Sequence, residues 1–176
     1  ITREEQIRPY FKRLSNARQS EILDRLEQHF GLVGACNEDR TVYGLMTWDQ
    51  VRLVASAGMT IGSHTASHQI LAAVSPAEAQ AELVLSRKRV EQETGQACWC
   101  FAYPNGARQD FRASDELAVR DAGYLCAFTQ ISGSIDSRAF RYTLPRIPIP
   151  DTGDMRIFRS YLSGIHRAFK TIFPEK

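Results

Sequence analysis

The chain has 176 residues, 43% of them hydrophobic and 24% charged, which suits one domain with a sizeable core and excludes a disordered chain. A net charge of +2 is too small to point to nucleic acid or an anionic membrane surface, and no apolar run approaches the roughly 20 residues that span a bilayer. Residues 2–30 read as one or two polar amphipathic helices, with Ile22, Leu23, Leu26 and Phe30 at helical spacing and Gly31 as the stop. His29 falls near the C-terminal end of that segment, where a surface cation is tolerated. Residues 31–44 read as an irregular connection.

From Thr47 the punctuation is sharper. Thr47-Trp48-Asp49-Gln50 fits a capping box, and its helix stops at Gly58. Met59–Gly62 reads as a short strand. Ser75-Pro76-Ala77-Glu78 is a second capping box with proline at the first helical position, opening a helix that runs toward Gly95. Cys98–Tyr103 reads as the next strand and Pro104-Asn105-Gly106 as a turn. Ser114 is a candidate cap for a helix ending at Gly123, and Tyr124–Thr129 reads as a further strand. Residues 130–139 are loop-like, and 140–149 are extended and broken by Pro145 and Pro148. Met155–Phe173 reads as a final amphipathic helix. The expected organisation is a helical segment and connection over 1–44, an α/β domain over 45–150, and a C-terminal helix packed on it over 151–176. Alternating strands and helices with short connections imply βαβ units, parallel strands and right-handed crossovers.

The four cysteines, Cys36, Cys98, Cys100 and Cys126, have neither zinc-ribbon nor redox Cys-x-x-Cys spacing. Cys98 and Cys100 lie in an apolar strand and read as small buried hydrophobes. Free thiols favour a reducing, cytoplasmic compartment over a periplasmic or secreted one.

The stretch with most chemistry is His64-Thr65-Ala66-Ser67-His68, directly after the strand-like Met59–Ser63. Imidazoles at i and i+4 share one helical face and can bind a single metal ion; the plainer reading is a pair of hydrogen-bonded loop histidines. Sites in parallel α/β folds form at the C-terminal ends of strands. His64 follows one strand end, Pro104-Asn105-Gly106 the next, and Arg146 the extended Tyr142-Thr143-Leu144-Pro145. Arg146 is a candidate contact to substrate or to a carboxylate, or a simple surface arginine. Tyr103 reads as core or pocket wall, and Asp110 as a loop residue within reach of the site or a helix cap.

Gly62-Ser63-His64-Thr65-Ala66-Ser67-His68 followed by Phe101-Ala102-Tyr103-Pro104-Asn105-Gly106 resembles the polysaccharide deacetylases of the NodB-homology type. Thr47–Val51, Ala57-Gly58-Met59 and Val119–Tyr124 share that family's pattern, so the resemblance covers about residues 45–150. It implies an α/β fold, an incomplete (β/α) barrel, here truncated at the N-terminus. It implies a hydrolase that removes N- or O-acetyl groups from a carbohydrate polymer or oligomer using a divalent metal, usually Zn2+. It implies His64 and His68 as metal ligands, the backbone N–H of Asn105 as an oxyanion donor, and Tyr103 and Pro104 as substrate-binding positions. The bound metal would lower the pKa of water and polarise the acetyl carbonyl, and a backbone donor would add about 2.7–4 kcal/mol of oxyanion stabilisation. Because ligation needs neutral imidazoles, metal affinity is expected to fall below about pH 6.

Three departures from the family pattern stand out. No Asp-Asp pair exists in the chain, so the motif that supplies a metal aspartate and the general base has no counterpart; Asp24 and Asp39 lie outside any apolar strand. Ala102 stands where the third motif has arginine. The late Leu-His-Asp motif is missing, and His166 sits in a helical context that does not transfer its role. Since the chain starts at Ile1 rather than Met, truncation is the expected cause of the first gap, with a natural pseudoenzyme as the competitor. The alternatives are a non-catalytic carbohydrate-binding or scaffold protein on the same fold, and another metal hydrolase such as a phosphoesterase, which would want more carboxylates. The absence of Gly-x-Gly-x-x-Gly and Walker loops disfavours nucleotide enzymes.

Overall fold

Helix starts follow the local capping chemistry. In the computed structural model, which describes residues 3–12, 14–31, 44–151 and 153–165, the N-terminal segment forms α1 (Arg3–Phe11) and α2 (Asn16–Phe30). Gly31 closes α2 at φ 64°, and no residue of α2 is buried. The helix α3 (Trp48–Ser56) starts at Thr47, whose hydroxyl accepts from Gln50 N while the Gln50 side chain accepts from Thr47 N. The helix α4 (Pro76–Thr94) opens in the same way at Ser75 and Glu78 and ends on Gly95. The helix α5 spans Ala113–Asp121 and α6 spans Met155–Leu162. Ser114 does not cap α5: the N-cap is Arg112, two residues earlier than the sequence suggested, and the Asp115 carboxylate takes Arg112 N at 2.7 Å. Residues 32–43, including Cys36 and Asp39, and the end of the expected C-terminal helix, including His166, lie outside the described residues. The described part of α6 buries no side chain.

The sheet is three-stranded and parallel, in the order β1 (Cys100–Ala102), β2 (Cys126–Ser132), β3 (Leu144–Arg146). Cys100, Phe101 and Ala102 register with Cys126, Ala127 and Phe128. Met59–Gly62, expected as a strand, pairs with nothing; only Ser63 bridges to Phe101. Met59 is exposed, and a single residue of pairing does not sustain a ladder. The β2 strand reaches Ser132, beyond its expected end, because it continues pairing with β3 after leaving β1. The architecture among the described residues is α/β with three parallel strands, short of a closed barrel.

Alternation puts Phe101 and Ala127 into the core and leaves Cys100, Ala102, Cys126 and Phe128 half-buried on the other face. The helix α4 offers Ala79, Leu83, Ser86 and Val90 at helical spacing to the same core. Leu71, Phe111, Val119, Tyr124 and Tyr142 complete it. Each such apolar side chain contributes about 1.5–3 kcal/mol by leaving water. Buried Asp115 is compensated by a two-pronged contact from Arg112, with Nε to Oδ2 at 2.9 Å and an NH2 nitrogen to Oδ1 at 3.0 Å. Arg112 also donates to Leu71 O at 2.6 Å and Val74 O at 3.0 Å, tying the start of α5 to the turn that follows the histidine loop. Cys98 is fully buried, and burial raises its thiol to about 11, so it stays protonated and inert at neutral pH. Cys100 and Cys126 are free thiols, half-buried and likewise raised by burial.

Candidate active site

Ser63 is the last residue the sheet holds before the histidine loop. Its N–H donates to Cys100 O at 3.1 Å and its carbonyl accepts from Ala102 N at 2.9 Å. Its buried hydroxyl sits 2.5 Å from Tyr124 OH and accepts from Ser86 Oγ at 3.2 Å. This anchor delivers His64 at the C-terminal side of β1. His64 Nδ1 lies 2.7 Å from Ala102 O. A carbonyl only accepts, so Nδ1 carries a proton, and the neutral tautomer that fits this contact has its lone pair on Nε2, where a ligand could bind.

His68 lies beside it, the two ring centroids 4.8 Å apart at 73°. The pair is not the helical i, i+4 arrangement its spacing suggested. The loop is irregular, and Thr65 (φ 61°) and His68 (φ 59°) take left-handed backbone. Together with Asn105 (φ 57°) they are the only described non-glycine residues with positive φ. For a β-branched threonine this is an outlier, and strain of about 1–3 kcal/mol per residue persists only where surrounding contacts enforce it. Glu82 of α4 supplies those contacts: one carboxylate oxygen accepts from Ala66 N and Ser67 N, both at 2.8 Å, and the other from Ser67 Oγ at 2.8 Å. Partial burial, and next the His64 imidazole, hold His68 below the ordinary imidazole value, which favours the neutral form that can ligate.

The second loop is Pro104-Asn105-Gly106. Gly106 N donates to Pro104 O at 2.7 Å, and Gly106 O accepts from Gln130 N at 2.9 Å, fastening the turn to β2. Gly106 has φ 72°, and a Cβ there would lie 2.8 Å from Gln130 N and 3.1 Å from Tyr103 O. Gly106→Ala is therefore expected to destabilise the protein by about 1–3 kcal/mol, and by thermal melting to lower Tm by several degrees, roughly 2–4 °C per kcal/mol for this size. An unchanged melting curve would show that the turn yields freely. Asn105 N–H donates to no described residue, so it is open to a ligand oxygen.

A hollow of about 270 Å³ lies between Lys12, Asn16, Gln19, Ser67, His68, Ile70 and Asn105. It brings together His68 and Asn105, and His64 joins through its ring contact. A second hollow of about 320 Å³ continues past Lys12 and Asn105 to Gln109, Asp110 and Gln130. Asp110 lines it while its Oδ2 takes Ala107 N at 2.9 Å, so it reaches the site region and caps a turn at once. Arg146 stands exposed at the end of β3 and lines neither hollow.

Tyr103 and Pro104 need correction as sugar-binding positions. Tyr103 is 1% exposed, stacks on Phe111 at 4.3 Å, and donates its hydroxyl to Tyr142 O at 3.0 Å. Pro104 is also fully buried. They support the turn from beneath, because alternation along β1 turns Tyr103 into the core.

Glu82, Lys12, Asn16 and Gln19 were not anticipated from the sequence. Each occupies a polar helix or helix end that reads as solvent-facing, and only the approach of distant segments gives it a role. Two adjacent imidazoles, one with its Nδ1 already engaged, are a donor set that suits a divalent ion of zinc's preferences. Among the described residues no third histidine, cysteine or carboxylate joins them to complete a ligand group.

No curated protein sequence matches the chain. Among solved structures, the fold is similar to the Streptococcus pyogenes deacetylase PplD in complex with acetate: TM-score 0.63, 20% identity, covering 74% of this chain and 54% of PplD. It is also similar to a polysaccharide deacetylase from Bacillus cereus: TM-score 0.61, 22% identity, 69% of this chain and 38% of that one. A third is a de-N-acetylase from Aggregatibacter actinomycetemcomitans: TM-score 0.53, 20% identity, 66% of this chain and 53% of that one. The chain thus spans about half, or less, of the length of these proteins. The sequence profile described as polysaccharide deacetylase matches residues 14–126, well over half of the chain, and the parallel sheet carries the paired histidines and the Pro-Asn-Gly turn at one end. The chain belongs to the polysaccharide deacetylase family.

Proposed function

We propose that this chain supplies the histidine ligands and the backbone oxyanion donor of a metal-dependent hydrolase that removes acetyl groups from a carbohydrate. The observation that carries the reading is the adjacency of the His64 and His68 rings, 4.8 Å apart, with His64 oriented by Ala102 O and His68 sharing a hollow with Asn105. His64 and His68 would hold the ion, Zn2+ by its fit to the donor set; when bound, it would acidify water and polarise the acetyl carbonyl. Asn105 N–H would donate to the carbonyl oxygen as negative charge develops there. The amides of Asn16, Gln19 and Gln130 offer hydrogen bonds to sugar hydroxyls. Among the described residues no carboxylate is assigned as the base that takes the proton from water, and no third ligand joins the two histidines.

Binding of N,N′,N″,N‴-tetraacetyl-chitotetraose, followed by NMR line broadening, tests the reading. Zn2+ is expected to strengthen binding; glycan binding indifferent to the metal would instead support a non-catalytic carbohydrate-binding protein. With no base assigned among the described residues, the 176-residue chain is expected to release little or no acetate from this oligomer even with Zn2+ present. Robust release would show that a residue of this chain serves as the base.

A further inference from the structure

We propose that Lys12 is a specificity-determining residue of this site, binding an anionic substituent on the carbohydrate, so that the substrate is an acidic acetylated glycan. The inference rests on the deacetylase reading and adds the class of polymer to it.

Lys12 follows the last residue of α1 and lines both hollows, one on each side of Asn105. Its Nζ lies 3.5 Å from Asn105 Oδ1, a weak, solvent-exposed contact to a neutral amide that leaves its charge uncompensated. Among the described residues no carboxylate pairs with it. Asp110 lines only the second hollow, where its carboxylate takes Ala107 N and keeps its charge; the hollow shared with His68 has Lys12 and no carboxylate in its lining, so the anion is placed on that side. The other polar lining groups are neutral: Asn16, Gln19 and Ser67 on one side, Gln109 and Gln130 on the other.

The placement of Lys12 is held by the start of α2. Asn16 Nδ2 donates to Ser67 O at 2.6 Å and to Ser67 Oγ at 2.8 Å, and Asn16 N donates to Gln69 Oε1 at 3.3 Å. The α1–α2 junction is thereby fastened to the histidine loop itself. A sugar seated with its acetyl group at His68 and Asn105 would bring its neighbouring ring past Lys12 and the amides of Asn16 and Gln19, on the side of the site away from Asp110. Amides recognise hydroxyls without regard to charge, so discrimination between acidic and neutral glycans falls to Lys12. An ammonium is a compact point charge rather than a planar fork, so it would accept a carboxylate or a phosphate.

The test uses the 176-residue chain at low salt and two probe pairs. A tetrasaccharide of alternating N-acetylglucosamine and glucuronate is compared with the neutral chitotetraose, and N-acetylglucosamine 6-phosphate with N-acetylglucosamine. The expected result is about fivefold tighter binding of the acidic member of at least one pair, weakening with added salt. Which pair shows it identifies the anion as carboxylate or phosphate. Lys12→Met is expected to remove the preference while leaving the melting curve unchanged, and Lys12→Arg to retain it. Equal affinity within both pairs, or a preference that survives Lys12→Met, would overturn the proposal alone. Failure of all four probes to bind would overturn the deacetylase reading and this proposal with it.

Discussion

Alanine at either His64 or His68 is expected to lower Zn2+ affinity on the order of 100-fold or more, measured by calorimetric titration. Each variant would remove one of the two proposed ligands, and among the described residues no other histidine, cysteine or carboxylate groups with them to replace it. His64 has the further role of linking the site to the sheet, since its Nδ1–H is held by Ala102 O. Its loss therefore removes an oriented lone pair, whereas loss of His68 removes the ring that shares the hollow with Asn105. Zn2+ affinity equal to that of the unsubstituted chain in both variants would refute joint ligation. Acid should act in the same direction, because protons compete for both rings: affinity is expected to decline below about pH 6. The shift on His68 also gives a sign for stability without metal. Above the ordinary imidazole value near 6.5, the ring is neutral in folded and unfolded chains and contributes nothing. As pH falls below it, the unfolded chain takes up a proton that the folded site resists, so stability drops until the lower folded value is passed. Thermal melts between pH 7.5 and 5 should show this decline, and His68→Ala should flatten it.

Glu82→Ala is the second large effect expected, although Glu82 touches no reacting group. Its carboxylate accepts three hydrogen bonds from Ala66 and Ser67, the residues between the two histidines. These charge-assisted bonds hold a loop in which Thr65 and His68 keep left-handed backbone. Without them the loop can relax to ordinary φ, and the rings lose their common direction. Zn2+ affinity is expected to fall by about 10- to 100-fold, the usual range for a group that orients ligands without contacting the metal. Glu82→Gln keeps one acceptor oxygen and should fall between the two. Glu82 also sits on α4, whose core face is built by Ala79, Leu83, Ser86 and Val90, so melting should change less than metal affinity. If Zn2+ binds Glu82→Ala as tightly as the parent chain, the loop is held by something other than this carboxylate.

Helix starts were legible in the sequence because their causes are local. Thr47 with Gln50, and Ser75 with Glu78, satisfy one another's backbone and side chain within one turn, and Gly31 and Gly95 close their helices by left-handed backbone. Strand extent was less legible. Met59–Gly62 has a strand's composition but finds one residue of pairing, while β2 outran its expected end because β3 lies alongside it. Pairing depends on what lies beside a segment, and periodicity along the chain does not carry that. The motif residues were visible as His64, His68 and Asn105, through their spacing and resemblance to a known family. Tyr103 and Pro104 shared that motif, yet the alternation of β1 carried on to turn Tyr103 into the core, and the turn buries Pro104 beside it, so membership of a motif did not tell wall from support.

From the order of residues alone came the helix caps, the βαβ order, the histidine pair and the family. Tertiary structure decided which nitrogen of His64 is free, that Glu82 clamps the histidine loop, and that Lys12 and Asn16 of the N-terminal helices meet a turn and a loop far along the chain. The reason is physical: a cap or a left-handed glycine is settled by neighbours within a turn. The company a polar side chain keeps across 15 to 93 positions is settled only when the core brings those segments together.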